Sequence, residues 1–402
     1  MSSEQRVSKL HFPAAITDAQ VALDPFIPGS PNSFTKLPDN IGKATWEVWY
    51  FDALSPSGDS AVTISFWRDA MTKEGFRAQV HALLPDGTTV GSDNPLLEST
   101  VASDSSSVTG TWCSPASPDG ETPAQEASFK IRNDATSACL SFKLATVQGT
   151  LDLATSDKYQ PPNLPDEKSA SFTPGVYLVR SIPLASAAVD LTFSCGSSLS
   201  FTNGSGAHQR NWSSLPWPVL MDLNYYLAAE VGPYTIRLMH ITSRLDRALP
   251  YRVNALLFRD NQLVLNVTGR EHVSFIQPFV LFRPLFDGGS AGKEAAVRGT
   301  FPDMTNTGFL VDFVDPSEKR HWQFEVGHFK PWWNYPTGPP QLGTGNSGFL
   351  ERLVGGLVSE QGQTEGFEGR GLGGQCTVPD MDKLTELMKL GALQQQQTKQ
   401  GD

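Results

Sequence analysis

Trp46-Glu47-Val48-Trp49-Tyr50-Phe51-Asp52 is the stretch that decides the fold. Aromatic and β-branched residues suit a pleated surface, so the segment reads as a strand running from Ala44 to Leu54. On an extended backbone successive side chains alternate. Glu47, Trp49 and Phe51 therefore share one face, and Trp46, Tyr50 and Asp52 share the other. A carboxylate beside two aromatic rings sits either at a wet rim or in a cavity with polar partners.

Working outward, runs of β-formers recur down the chain. Ala61–Trp67 and Phe76–Leu84 follow, and Pro85-Asp86-Gly87 turns the chain into Thr88–Gly91 as a hairpin. Further strands are expected over 107–113, 127–132, 138–153, 176–182 and 187–194. A second series covers 219–229, 233–243, 251–258, 262–268, 273–282, 296–301, 308–314 and 321–328. Two segments carry helical spacing. One holds Phe349, Leu350, Leu353, Val354, Leu357 and Val358. The other holds Met381, Leu384, Leu387 and Met388 behind Asp380 as cap. Gly362–Gly374 reads as a mobile glycine-rich stretch, and the polar tail after Met388 as disordered. Boundary signals fall at Tyr159–Pro165 and at Ser194–Gly206. The expectation is two all-β domains, 1–205 and 206–402, with sheets packed face to face or closed into a barrel.

Composition agrees. The 402 residues hold 35 glycines and 29 prolines, 10% aromatics and only 18% charged residues, which argues against a helical bundle. The formal net charge of −11 disfavours nucleic acid and anionic membrane surfaces as partners. The start of the chain lacks the apolar core of an export signal, and no apolar run is long enough to span a membrane as a helix. Cys113, Cys139, Cys195 and Cys376 form no C-x-x-C pair and read as free thiols in the reducing cytoplasm. The sequons at Asn203, Asn211 and Asn266 then carry no sugar.

Motif patterns for common chemistries lack their context. Gly343-x-Gly345-x-x-Gly348 and Gly369-x-Gly371-x-x-Gly374 match a dinucleotide fingerprint without the βαβ unit it requires. Gly288-x-Ser290-x-Gly292 matches a nucleophile elbow but falls in a loop between strands. The seven histidines show no metal-pair spacing. What does stand out is tryptophan clustered beside single polar groups. Besides 46–52 there is Ala207-His208-Gln209-Arg210-Asn211-Trp212, either a surface loop pinned by Trp212 or part of a site. There is also His328-Phe329-Lys330-Pro331-Trp332-Trp333-Asn334, where Lys330 is either a surface lysine or points into an aromatic pocket.

Together WEVWYFD, the AVTISFWRDA strand, GAHQRNW and HFKPWW, in this order and spacing, resemble the fungal decalin-forming Diels–Alderases. These are lipocalin-like pericyclases of polyketide–nonribosomal-peptide pathways, related in fold to carotenoid hydratases. The resemblance covers residues 30–380. It implies an N-terminal β-sandwich, a C-terminal lipocalin-like β-barrel and a pocket where they meet. It also implies a linear polyene tetramic acid as substrate, released by a polyketide synthase–peptide synthetase, and no cofactor. A [4+2] cycloaddition moves no proton, so neither a triad nor a metal is needed. Holding the chain in a reactive conformer and polarising the dienophile carbonyl suffice. The resemblance further implies Lys330 as the donor to that carbonyl and Glu47 as anchor of the polar head. Trp212, Trp67 and Tyr226 become walls for the polyene, with Gln79 and His81 reaching the same cavity from one strand face.

Two other functions fit the same pocket. One is a non-catalytic carrier of a hydrophobic metabolite. The other is a double-bond hydratase, which would need Glu47 or Asp52 as the acid that protonates an alkene.

Overall fold

The computed structural model describes residues 5–118, 123–156, 164, 166–286, 297–387 and 389. Of the expectations above, the boundary signal at Tyr159–Pro165, the Gly288–Gly292 motif and the tail after Met388 lie wholly or largely outside the described residues.

Two sheets hold nearly all of the strands among the described residues. The first has thirteen strands among the described residues. From one edge, Arg6–His11, it runs through the meander of Glu98–Ser103, Ser107–Ser114, Gln125–Arg132, Ser137–Lys143 and Val147–Ala154. Two long strands follow, Val176–Phe193 and Ser198–Ser213. The sheet then continues through Trp46–Leu54, Ala61–Arg68 and Phe76–Leu83 to the other edge, Thr89–Leu96. Its two halves fold over each other as a sandwich. Phe66, on one half, lies 5.2 Å from Phe129 and 5.1 Å from Trp112 on the other, and Trp49 meets Trp112 edge-on at 5.5 Å. These rings, all buried, belong to the first core.

The second sheet has nine strands among the described residues. From Gln262–Arg270 it passes through Tyr251–Arg259, Tyr234–Ser243, Met221–Val231, Phe367–Thr377, Gly345–Leu357, Arg320–Pro336 and Gly308–Asp315 to Phe279–Leu285. Leu265 and Val280, on its two edge strands, share one core with Tyr234, Leu257, Phe313 and Phe324, so the sheet curls into a nearly closed barrel. No helix among the described residues is long and apolar enough to cross a membrane.

Several expectations are corrected, each for a physical reason. The segment read as a helix at 349–358 is the strand Gly345–Leu357. Leu353 points into the barrel core while Leu350 packs outward against the first sheet. A strand buried on both faces loses period-two alternation, and its apolar run then mimics helical spacing. The supposedly mobile glycines include the strand Phe367–Thr377, which sits between two other barrel strands. A Cβ on Gly373 would collide with the Glu351 carboxylate, and one on Gly374 with the Tyr226 ring, so the glycines make room rather than slack.

Likewise Ser194–Gly206 is no linker. It turns and enters the long strand Ser198–Ser213, so the first sheet extends to Ser213 and the barrel begins at Met221, past the expected division at 205. Val176–Phe193 is one strand rather than two, and 138–153 a hairpin of two strands rather than one. Residues 297–301 carry no strand. The C-terminal helix does occur over 381–387, with Asp380 Oδ1 accepting from the Asp382 and Lys383 amides at 2.9 and 3.1 Å. The four cysteines are free.

The sheets meet on the faces opposite their own cores. At one seam Trp46 and Val48 pack on Met239 and Ile241. At the other, Leu54, Ala61 and Leu83 pack on Trp332, Leu350 and Leu372. Between the seams lies open space.

Candidate active site

A cavity of about 540 Å³ fills that space. Its volume falls in the range of small-molecule sites. The strand Trp46–Leu54 supplies Val48, Tyr50 and Asp52, the alternate residues that its pleat turns away from the sandwich core. The neighbouring strands add Ser65 and Trp67, then Gln79 and His81. Across the gap the barrel presents Tyr226, Met239, Trp333 and Tyr335. Met71, 65% exposed, marks the mouth.

The walls are aromatic and ordered by ring packing. Tyr226 stacks on Trp333 at 6.1 Å with planes 5° apart, and His81 lies 5.7 Å from Trp333 and 6.0 Å from Tyr335. A chain of hydrogen bonds fixes the opposite wall. Trp67 Nε1 donates to Ser65 Oγ at 2.8 Å, Ser65 Oγ to Gln79 Oε1 at 3.2 Å, and Gln79 Nε2 to Asp93 Oδ2 at 3.2 Å. The Arg77 guanidinium caps Trp67 at 5.0 Å. Burial pushes His81 down to about 4, so its imidazole is neutral at neutral pH. Burial pushes the Tyr226 phenol well above 10, so it remains a donor. Tyr226 Oη and Asn211 Oδ1 have no hydrogen-bond partner among the described residues. Each such orphan costs about 1–3 kcal/mol, which a suitably placed ligand group would recover.

One end of the cavity is charged. Asp52 lies in the field of Arg180 and Arg237. Arg180, on the first sheet, donates from Nη1 to the Asn254 carbonyl of the barrel at 3.3 Å. Arg237, on the barrel, donates from Nε to the Pro183 carbonyl of the first sheet at 2.7 Å, and from Nη2 to Ser205 Oγ and the Gly206 carbonyl at 3.3 and 3.4 Å. Burial raises the Asp52 carboxyl above the usual range, against the opposing pull of the two arginines. Burial and the nearby Arg237 lower Arg180 to about 9.

Of the seven residues expected at the site, four line this cavity: Trp67, Gln79, His81 and Tyr226. Glu47, Trp212 and Lys330 do not. Glu47 and Trp212 face each other across the ladder, on the side of the sheet turned to the sandwich. Glu47 is 0% exposed and saturated. It accepts from Thr35 Oγ1, Arg210 Nη2 and, at 2.7 Å, the Lys36 amide, with Arg68 Nη1 at 3.8 Å. Trp212 stacks on Tyr177 at 5.4 Å. Lys330 lies where its strand bulges, and its ammonium occupies the space that a side chain on Gly87 would need. The WEVWYFD segment does feed the site, through Tyr50 and Asp52 rather than Glu47. Arg180 and Arg237 were also missed. Their signal is an arginine inside an otherwise apolar strand, in YLVRSIPL and TIRLMHI. Among the described residues no three His, Cys, Asp or Glu side chains gather as a metal site.

A family model described as Diels-Alderase-like matches residues 2–379. The chain is 34% identical over 386 residues to a Diels-Alderase of Gibberella fujikuroi, a match covering 92% of this chain and 98% of the relative. It is 34% identical over 374 residues to the Diels-Alderase phm7 of Pyrenochaetopsis sp, covering 88% and 93%. The crystal structure of CghA with Sch210972 superposes with a TM-score of 0.81 at 28% identity, covering 93% of this chain and 99% of that one. An aromatic cavity between a sandwich and a barrel thus occurs in a chain that belongs to the Diels-Alderase-like family, as an enzyme of the Diels–Alder cycloaddition.

Proposed function

We propose that the protein catalyses an intramolecular [4+2] cycloaddition of a linear polyene tetramic acid, released by a fungal polyketide synthase–peptide synthetase, to give a decalin in the cytoplasm. The observation that carries this reading is the aromatic-walled cavity of about 540 Å³, in which several polar groups are held at fixed places among the rings. A flexible polyene has many unreactive conformers. A rigid pocket that admits a folded one replaces that search, and such preorganisation is worth up to about 7–11 kcal/mol in favourable cases. Trp67, Tyr226, Trp333 and Tyr335 supply flat apolar contact to the diene and dienophile.

Polarisation of the dienophile carbonyl falls to the Tyr226 hydroxyl, which is protonated and without a partner, with the Gln79 amide beside the opposite wall. Glu47 and Trp212 act in this reading by holding the sheet that carries the wall, and Lys330 by packing at the turn around Gly87.

The test is to incubate purified protein with the linear polyene and follow products by chromatography and mass. A new isomer of unchanged mass is expected, formed as one stereoisomer. A gain of one water would replace the reading with hydration, and tight binding without any product would replace it with carriage.

A further inference from the structure

We propose that the cleft between the segment 24–36 and the sandwich is a second binding site, one that takes the carboxylate of a small organic acid at Lys36. It lies apart from the cavity between the sheets and does not depend on the cycloaddition reading.

The cleft has a volume of about 400 Å³. The segment 24–36 forms one wall, and Ser103, Val108 and Asn133 of the sandwich form the other. Lys36 belongs to the lining although it is only 3% exposed. Its ammonium has three donors. Among the described residues two are used, on the Pro25 carbonyl at 2.6 Å and on Asn32 Oδ1 at 2.9 Å. Ser33, also in the lining, is 7% exposed, and its hydroxyl has no hydrogen-bond partner among the described residues.

Beside Lys36 the charges do not balance. Arg210 donates to the Asn32 carbonyl, and its guanidinium and the Lys36 ammonium lie 5.2 and 5.4 Å from the Trp212 ring. Arg210 and Arg68, both 0% exposed, share Glu47, whose other oxygen lone pairs are met by Thr35 and the Lys36 amide. Three buried cations thus gather about one carboxylate, two charges in excess. The carbonyls that receive them carry only partial charge. Such an excess is expensive to bury unless an anion neutralises it. Asp24, the acid in the cleft lining, is taken by Arg6 at 2.7 Å.

The remaining donor of Lys36 and the Ser33 hydroxyl suit the two oxygens of one carboxylate. Ile27, Phe34 and Val108 offer the body of the ligand apolar contact, and Arg6, half-exposed and stacked on Phe34 at 4.2 Å, stands at the mouth. The alternative, that Lys36 serves only to tie its own segment together, predicts no preference for an acid.

The full chain is titrated calorimetrically with benzoate and with benzamide, which has the same shape and no charge. Benzoate is expected to bind at least tenfold more tightly. Burial, aided by Arg210 and Arg6 and opposed by Asp24 and Glu47, holds the Lys36 ammonium down to about 8. A carboxylate bound beside it acts in the opposite direction. At pH 8 binding is therefore expected to take up a proton fraction of up to about one half, read from the heats in two buffers of different ionisation enthalpy. Lys36→Met is expected to bring the ratio below twofold and to abolish the uptake. Should that variant fail to fold, Arg6→Gln and Ser33→Ala are each expected to narrow the ratio about threefold. Equal binding of the two probes, or binding without proton uptake, would overturn the site. So would an unchanged ratio in the folded variants, which would place the acid elsewhere, since Arg6, Ser33 and Lys36 do not line the larger cavity.

Discussion

Glu47 and Asp52 sit five residues apart on one strand, each in the field of two arginines, and they have opposite natures. Glu47 faces the sandwich, where every one of its oxygens is met and where Arg210 in turn binds the Asn32 and Phe34 carbonyls. Together they lock the N-terminal strap of residues 32–37 onto the sheet. Asp52 faces the cavity and has no bonded partner among the described residues. The pleat of a single strand therefore separates a saturated acid that holds the fold from one left open to the cavity. The lesson is that saturation, more than charge or burial, distinguishes a structural ion cluster from a functional one.

The largest effect that would sharpen this contrast is on the saturated side. Glu47→Ala strands two buried guanidiniums and is expected to cost about 3–5 kcal/mol in denaturant unfolding. A loss below 1 kcal/mol would break the distinction. On the cavity side, Tyr226→Phe is expected to slow single-turnover cyclisation about tenfold, about 1.4 kcal/mol in the barrier. It should leave stability unchanged or slightly higher, because the hydroxyl it removes has no partner. A parallel loss of stability and rate would make Tyr226 a structural residue.

Asp52→Asn is expected to alter stability by no more than about 1 kcal/mol at neutral pH, in the stabilising direction. The sign follows from the raised carboxyl of the folded state. As pH rises, the unfolded chain loses its proton first, so ionisation of Asp52 weakens folding above the ordinary carboxylate range. The advantage of the variant should therefore grow as pH rises through that range and vanish below it, as read by unfolding midpoints. The smallest effect belongs to Lys330→Ala. With the ammonium packed at Gly87 and off the cavity, turnover should stay within about twofold of wild type, whereas a tenfold loss would return Lys330 to the chemistry.

Much of the fold is legible because turns and alternation are local. Pro85-Asp86-Gly87 and Arg259-Asp260-Asn261 mark real hairpins, and Asp260 and Asn261 adopt the positive φ their turn needs. The two faces of Trp46–Leu54 also follow from the residues alone. Which face is the functional one does not, since both carry an acid beside aromatic rings and the choice depends on what a second sheet, encoded beyond residue 220, places opposite. The same two-sided burial hid the strand at 345–357. Glycines at 367–377 look like slack in a sequence because their use, leaving room for Glu351 and Tyr226, is visible only once the neighbours are in place.

The cavity lining runs from Val48 to Val378, and this span bears on how the chain is made. A ribosome releases the first sheet long before the strand Phe367–Thr377 can take its central place in the barrel. Until then the surface of Trp46 and Val48 has no barrel to cover it. The nascent protein thus presents this surface uncovered while the barrel strands are still being made, a period in which uncovered strands invite aggregation. Chains cut short before residue 367 should depend on chaperones far more than the finished enzyme does.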